Sequence, residues 1–479
     1  MVSKKISVNK ERLLEIFNGS SDLVVYEFET NSGIRAMICY IEGFIDKDLL
    51  DRDVLKPLIL NLDKVKHIKK VIFVTQINEI DSIDQIVHEV TYGKVALFFE
   101  GSSKVYTVEI NKWPKRAIEQ PQTESVVRGP KEGFIEDIVT NKAMLRRKLR
   151  NNNLVFEDYL IGKQTRTKVS IAYIKGIVNE KVLQELKSRL EKIDIDSILE
   201  SGYIEELIAD KPLALFSTVT VTEKPDIVAG KLLEGRVAIF TDGTPHVLTV
   251  PRLLVEGFMT SEDYYLKPYY SSFLRLLRVL SLFVAIYLPG IAVALQLYHQ
   301  DMIPTVLLIS IAGARQGVPL PVFLETFVMV IILGLVRESS LRLPKNISAT
   351  VSIVGGLILG QAAVEAGLVS AITIIVVSAS AITEFIIAEL APSIIIYRLI
   401  ILFLGGVAGL YGTTCGFVVI TMGFVSADSF GVPYTWPIAP KDWQDLKSDT
   451  FLRLPIWKNI FRPKGIVKKN IRRQIPPWR

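Results

Sequence analysis

The residue types that most often carry chemistry are sparse in this sequence. Its four histidines (His67, His88, His246, His299) and two cysteines (Cys39, Cys415) stand apart, with no metal-ligand spacing. It contains no Walker loop, no strand-linked GxGxxG and no GxSxG. No catalytic residue, metal or cofactor is expected, and the chain is read as a non-enzyme. The unusual chemistry lies in ionisable groups in or beside apolar runs: Glu325, Glu365, Glu384, Glu389 and Arg398. A charge in hydrocarbon is costly unless it meets a partner or water, so such groups are functional candidates by default. Gln361 precedes Glu365 by four residues, which puts an amide and a carboxylate on one helix face, suited to a wet path or a neighbouring helix. Glu389 and Arg398 flank an expected turn, where contact with lipid headgroups is the plainer reading.

Those residues need apolar elements to hold them. The mean hydropathy is +0.34, yet residues 1–270 read as ordinary globular sequence, and the long uncharged runs fall within 279–426. A span takes roughly 17–25 residues, a length met by 279–298, 319–336, 350–369 and 371–390. The fifth run, 393–426, would extend roughly 51 Å as one helix. Its glycine-rich middle, Gly405 to Gly412, offers a turn back, which gives six spans. The alternative is one tilted, kinked helix, with 304–314 re-entering the membrane. An even count keeps Arg337, Arg342, Lys345 and the basic C-terminus on one side, as the positive-inside tendency requires. Pro289-Gly290 is expected to kink the first span. Small residues dominate the third, with Gly355, Gly356, Gly360, Ala363 and Gly367 forming a packing face. Around an assembly axis that face, with Gln361 and Glu365, would line a pore.

The N-terminal region contains a repeat. AMICYIEG at 36–43 matches VSIAYIKG at 169–176, and GKVALFFEGSSKVYTVEI at 93–110 matches GRVAIFTDGTPHVLTVPR at 235–252. Each copy reads as a strand, a helix (47–65 or 179–193) and a hairpin turning at Glu100-Gly101 or Asp242-Gly243. The fold class is therefore an α+β soluble region of two related α/β subdomains, followed by an all-α polytopic membrane domain. The expected boundaries are 1–110, a Pro- and Gly-rich linker at 111–133, 134–270, a membrane domain at 271–428 and a basic tail at 429–479. Glycines 43, 93, 176 and 235 are read as turn residues with positive φ. The basic stretch 141–150 is either a solvated or domain-packing helix or one lying against headgroups or a neighbouring subunit.

Net charge is +6 overall, while residues 441–479 carry eleven Lys/Arg against three Asp/Glu. The basicity thus belongs to the tail, which suits anionic lipid on the cytoplasmic side better than nucleic acid. The first twenty residues show no apolar core or cleavage site of a secretory signal, so the N-terminal region is expected to stay cytoplasmic.

Several motifs together point to one family. They are Gly129-Pro-Lys-Glu-Gly-Phe-Ile-Glu136, Thr140-Asn-Lys-Ala-Met-Leu-Arg-Arg147, Tyr298-His-Gln-Asp-Met-Ile-Pro304, Gly317-Val-Pro319, Arg337-Glu338, Leu341-Arg-Leu-Pro344, Gly360-Gln-Ala-Ala-Val-Glu-Ala-Gly367 and Ser429-Phe-Gly-Val-Pro-Tyr434. In this order they resemble the A subunit of spore germinant receptors, the GerA family, from about 129 to 457. The resemblance implies a multi-pass protein of the spore inner membrane, with its N-terminal region and tail facing the spore core. It implies a transporter-like B subunit and a lipoprotein C subunit as partners. It also implies a homo-oligomeric, nutrient-gated cation channel, with Gln361 and Glu365 near the path. Gly313-Ala-Arg-Gln316 and Tyr411-Gly-Thr-Thr-Cys-Gly416 depart from the pattern and leave open a related spore protein associated with dipicolinate release. A secondary transporter is a further alternative, for which an inverted repeat in the apolar region would be expected.

Overall fold

The structure, a computed structural model, describes residues 2–65, 68–74, 76–110, 127–342 and 360–475. Two five-stranded sheets are built to the same plan. The first comprises β1 (Leu23–Glu29), β2 (Arg35–Ile41), β3 (Ile77–Ile80), β4 (Lys94–Phe99) and β5 (Val105–Glu109), in spatial order β1-β2-β4-β5-β3. The second comprises β6 (Leu154–Ile161), β7 (Thr167–Ile174), β8 (Thr220–Thr222), β9 (Val237–Thr241) and β10 (Val247–Val250), in order β6-β7-β9-β10-β8. Every pairing is antiparallel. The central strands bear apolar residues on both faces, as in Met37, Ile38 and Cys39 of β2, because helices cover both sides.

The repeat extends beyond the two sequence matches. Helix α1 (Ile6–Ile16) opens the first copy, which also holds α2 (Ile83–Thr91); α3 (Ile138–Lys148) opens the second, followed by α4 (Glu180–Glu191), α5 (Ser201–Ile208) and α6 (Pro225–Leu233). The acidic turn residue of each hairpin reaches the first N–H of the opening helix: Glu100 accepts from Ile6 N and Asp242 from Ile138 N. The glycine after it donates to the segment before that helix, Gly101 to Lys4 O and Gly243 to Glu136 O. Both glycines have positive φ, 81° and 88°, which only glycine adopts without strain. Buried Asn9 and Asn141 make paired bonds to Ser3 and Ile135. The Glu-Gly and Asp-Gly turns thus close the hairpin and cap a helix with a carboxylate. Glycines 43, 93, 176 and 235 all take positive φ.

Helix α3 lies between the two copies. Arg146, fully buried, donates to both carboxylate oxygens of Asp22 at 2.9 and 2.7 Å and to Ser20 Oγ at 3.2 Å. Lys142 pairs with Asp158, and Ala143 sits under Gly43. The helix is therefore inside the protein, and the headgroup reading of 141–150 is corrected: its basic residues have carboxylate partners from both subdomains. Of the stretch read as a linker, residues 127–133 are described; Val127 and Arg128 donate their N–H groups to Glu262.

The apolar region comprises α7 (Pro268–Tyr298), α8 (Thr305–Ala314), α9 (Val322–Arg342), α10 (Ala371–Ile386) and α11 (Ala391–Val425). Among the described residues, α7 and α11 are long and apolar enough to cross a membrane, each with a hydropathy of 2.1; α8 and α10 are shorter apolar helices. α11 is two helices joined at Gly409 (φ 61°, ψ −145°). In a straight helix Tyr397 and Phe424 would lie about 40 Å apart, yet their ring centroids are 5.8 Å apart. The chain turns back at Gly409, giving a first arm (391–408) and a second arm (410–425). Tyr298 closes this turn, donating from its hydroxyl to Gly406 O at 2.9 Å and Val407 O at 3.1 Å. The run 350–369 lies largely outside the described residues, Gly355 and Gly356 among them.

The C-terminal residues return to the second subdomain. Ile466 and Val467 are fully buried in its core, Asn179 Nδ2 donates to Ile466 O at 2.8 Å, and Arg473 pairs with Glu234 at 2.6 Å. Part of the tail's basicity is thereby used internally.

Candidate functional site

A buried charge cluster in the apolar bundle has its origin at Pro289. Proline has no N–H, so inside α7 the carbonyl of Ala285 loses its intrahelical donor. In an apolar setting that carbonyl needs another partner. Two other helices supply it: Arg398 Nε donates at 2.7 Å from the first arm, and Ser380 Oγ at 3.0 Å from α10. The helix runs on unbroken through Pro289 to Tyr298.

Arg398 also donates to Ser380 O at 3.3 Å and to Glu384 at 2.6 Å. Arg337 of α9 reaches the other oxygen of the same carboxylate and stacks on Phe385, 5.4 Å from its centroid. One carboxylate and two guanidinium groups thus tie four helices together. Glu384 and Arg398 are 4% and 5% exposed. The headgroup reading of Arg398 is corrected here, since the freed carbonyl and Glu384 draw it into the bundle. Ser380 and Arg337 were not recognised as site residues; the proline four residues beyond Ala285 was the available signal.

The remaining sequence candidates fall elsewhere. Glu325 is fully buried at the start of α9 and accepts from Ser370 N at 2.5 Å, at the positive end of α10. Arg315 lies 3.9 Å from its other oxygen. Gln361 and Glu365 bond each other at 2.8 Å and are exposed on the surface of the chain. Gly360 has open space beside it; Ala363 packs against the core around Val293 and Val322; Gly367 takes φ +65° beside Gly317. Glu389 faces the second subdomain, 3.7 Å from Arg252.

A second set of charges fastens this bundle to the soluble region. Asp263, fully buried, accepts from Arg275 Nε at 3.0 Å and Arg278 Nη1 at 2.8 Å, both on the first turns of α7. Arg275 also pairs with Asp449 of the C-terminal segment at 2.8 Å. Gly257 and Phe258 pack on Leu390, at the junction of α10 and the first arm. These contacts join the second subdomain, the C-terminal segment and the helices.

Comparison with known proteins supplies the identity. The family model described as Bacillus/Clostridium GerA spore germination protein matches residues 11–465. The membrane protein YfkQ of Bacillus subtilis (strain 168) is 38% identical, covering 99% of this chain and 94% of that protein. Spore germination protein KA of the same organism is also 38% identical, over 99% of this chain and 89% of its own. Spore germination protein GerLA of Bacillus cereus is 35% identical, over 94% and 93%. The crystal structure of the N-terminal domain of the A subunit of the Bacillus megaterium spore germinant receptor GerK3 is similar at 35% identity and a TM-score of 0.41, covering 53% of this chain and 97% of that domain. The chain belongs to the GerA family of spore germination proteins.

Proposed function

We propose that this chain is the A subunit of a spore germinant receptor: a six-span protein of the spore inner membrane whose copies assemble into a nutrient-gated cation channel. It works without catalysis, beside a transporter-like B subunit and a lipoprotein C subunit. Chain direction supports the topology. Glu325 lies beside Ser370 and Arg337 beside Glu384, so α9 and α10 run parallel. Parallel neighbours need a crossing between them, for which 350–369 has the length. Near the end of the second arm, Phe424 packs against Phe216 of the second subdomain, their ring centroids 4.9 Å apart. The path therefore begins and ends on one side, with the even count that keeps the basic C-terminus and the N-terminal region facing the spore core.

The observation that carries the channel reading is the exposed Gln361–Glu365 pair. An amide and a carboxylate turned outward from an apolar bundle are costly against lipid tails, whereas water or another copy stabilises them. Glu365→Ala is expected to reduce ion efflux from spores exposed to nutrient. Unchanged efflux at normal protein levels removes this carboxylate from the path. Counting subunits in the detergent-purified complex, and measuring ion flux in liposomes, tests assembly independently; a monomer without flux would overturn it.

A further inference from the structure

The loop between α5 and β8 presents an apolar tip that the proposed function does not use. Leu213 is 97% exposed and Leu215 38%, and Leu207, on the outward face of α5, is 47% exposed. An exposed leucine is ordinary by itself; the position of this one is not. The loop is pinned at both ends to the last residues of the second arm. Lys211 Nζ donates to Ser426 O at 2.9 Å and Ser426 Oγ at 3.3 Å. Five residues later, Phe216 packs between Phe424 at 4.9 Å and Tyr434 at 4.8 Å. Residues 212–215 therefore lie beside residues 424–426, at the level where the apolar arm ends.

The charges around the loop suit this level. Lys211 donates to the Ser426 carbonyl at the C-terminal end of the arm, where a cation is favoured. Glu205 is engaged by Ser217 at 2.5 Å, and Asp210 by Arg189 at 2.6 Å and by Phe430 N at 2.9 Å. Of the nearby carboxylates, Glu206 and Asp428 stand on the exposed side. Glu205 and Asp210 are thus held by their neighbours, and Lys211 offsets part of the exposed negative charge.

The geometry points to the loop as a membrane anchor: Leu213 and Leu215 insert into the lipid leaflet facing the second subdomain, with Lys211 at headgroup level. This occupant is favoured over a protein partner because the loop's height is set by contacts with the arm of its own chain. The anchor would hold the second subdomain against the bilayer at a point separate from α7, limiting its rocking.

The inference rests on the membrane reading above, and one experiment separates the two. Spin labels are placed by Leu213→Cys, Val419→Cys and Leu160→Cys in a Cys415→Ser background of the full chain, reconstituted in phosphatidylglycerol-containing nanodiscs. Val419, 68% exposed on the second arm, reports the span; Leu160, 73% exposed on β6, reports solvent. The label at position 213 is expected to show an oxygen-to-nickel-chelate collision ratio several-fold above that at 160 and approaching that at 419. A ratio equal to that at 160, or an immobilised label poorly accessible to both reagents, overturns the anchor. A label at 419 that behaves as solvent-exposed overturns the membrane reading itself. Because Leu213 makes little contact within the chain, its substitution leaves the fold intact; Leu215→Cys provides a second reading at the same depth.

Discussion

Glu384 has two cationic partners, and the partners are unequal. Arg398 is buried with it, whereas the Arg337 side chain is 27% exposed. Removing one member of a buried ion pair leaves an uncompensated charge, at a cost of about 3–5 kcal/mol. Glu384→Ala strands both guanidinium groups and should destabilise the protein by that order; Arg337→Ala leaves Glu384 paired with Arg398 and should cost much less. Thermal unfolding in detergent of the two variants checks the ranking, and equal losses would argue against the cluster as drawn. A residue in the soluble region makes the acid-side counterpart. Burial opposes the charge of Glu256, yet Arg236 and Lys231 hold its carboxyl down at about 2, against an ordinary 4.5. A depressed carboxyl contributes stability above its ordinary pKa and loses it as pH falls through 4.5 towards 2, amounting to about 3 kcal/mol. Melting curves across that range should slope more steeply for the parent protein than for Glu256→Gln.

Among the elements, the hairpin of α11 depends on one residue. At Gly409 the backbone dihedrals exclude ordinary side chains, and a Cβ there would lie 2.9 Å from His299 Cε1 and 3.1 Å from Tyr298 Cβ. Gly409→Ala is expected to cost roughly 1–3 kcal/mol in backbone strain and to loosen the turn that Tyr298 caps. Cysteine cross-linking between positions 397 and 424 reads this directly; undiminished cross-linking together with unchanged melting would show that the turn tolerates a side chain. Gly290 and Gly405 serve a different purpose, letting α7 and the first arm meet at backbone distance: a Cβ on Gly290 would lie 2.7 Å from Ile401 O.

For the whole molecule, the contact between Glu389 and Arg252 is where the second subdomain faces the end of α10. Glu389 is 34% exposed at its side chain whereas Arg252 is 5% exposed, so solvent screens the carboxylate while the buried guanidinium relies on it as a partner. If this contact couples the second subdomain to the helices, Glu389→Gln, which places no second cation beside the buried Arg252, should shift the nutrient dependence of ion release with only a modest loss in melting temperature. An unaltered dose response would sink this role. The C-terminal segment belongs to the same scale. By bringing Asp449 to Arg275 it joins the start of α7 to residues far along the chain.

Local patterns were enough to reveal the repeat, the glycine turns, the apolar runs and the possibility of a turn near Gly409, because each depends on spacing within a few residues. They also singled out Glu384 and Arg398, since a charge in an apolar run stands out wherever it points. Pairing depended on what the fold brings across. Arg398 was as compatible with headgroups as with burial until Pro289 freed a carbonyl on a different helix, 113 residues away. The basic stretch at 141–150 was legible as a helix, but Asp22 had to be folded against it before burial of Arg146 became favourable. Composition described the C-terminus as cationic; the core of the second subdomain, which takes up Ile466 and Val467, determined where it rests. Charge and hydropathy are properties of residues, whereas the partner that makes a buried charge tolerable exists only once distant segments meet.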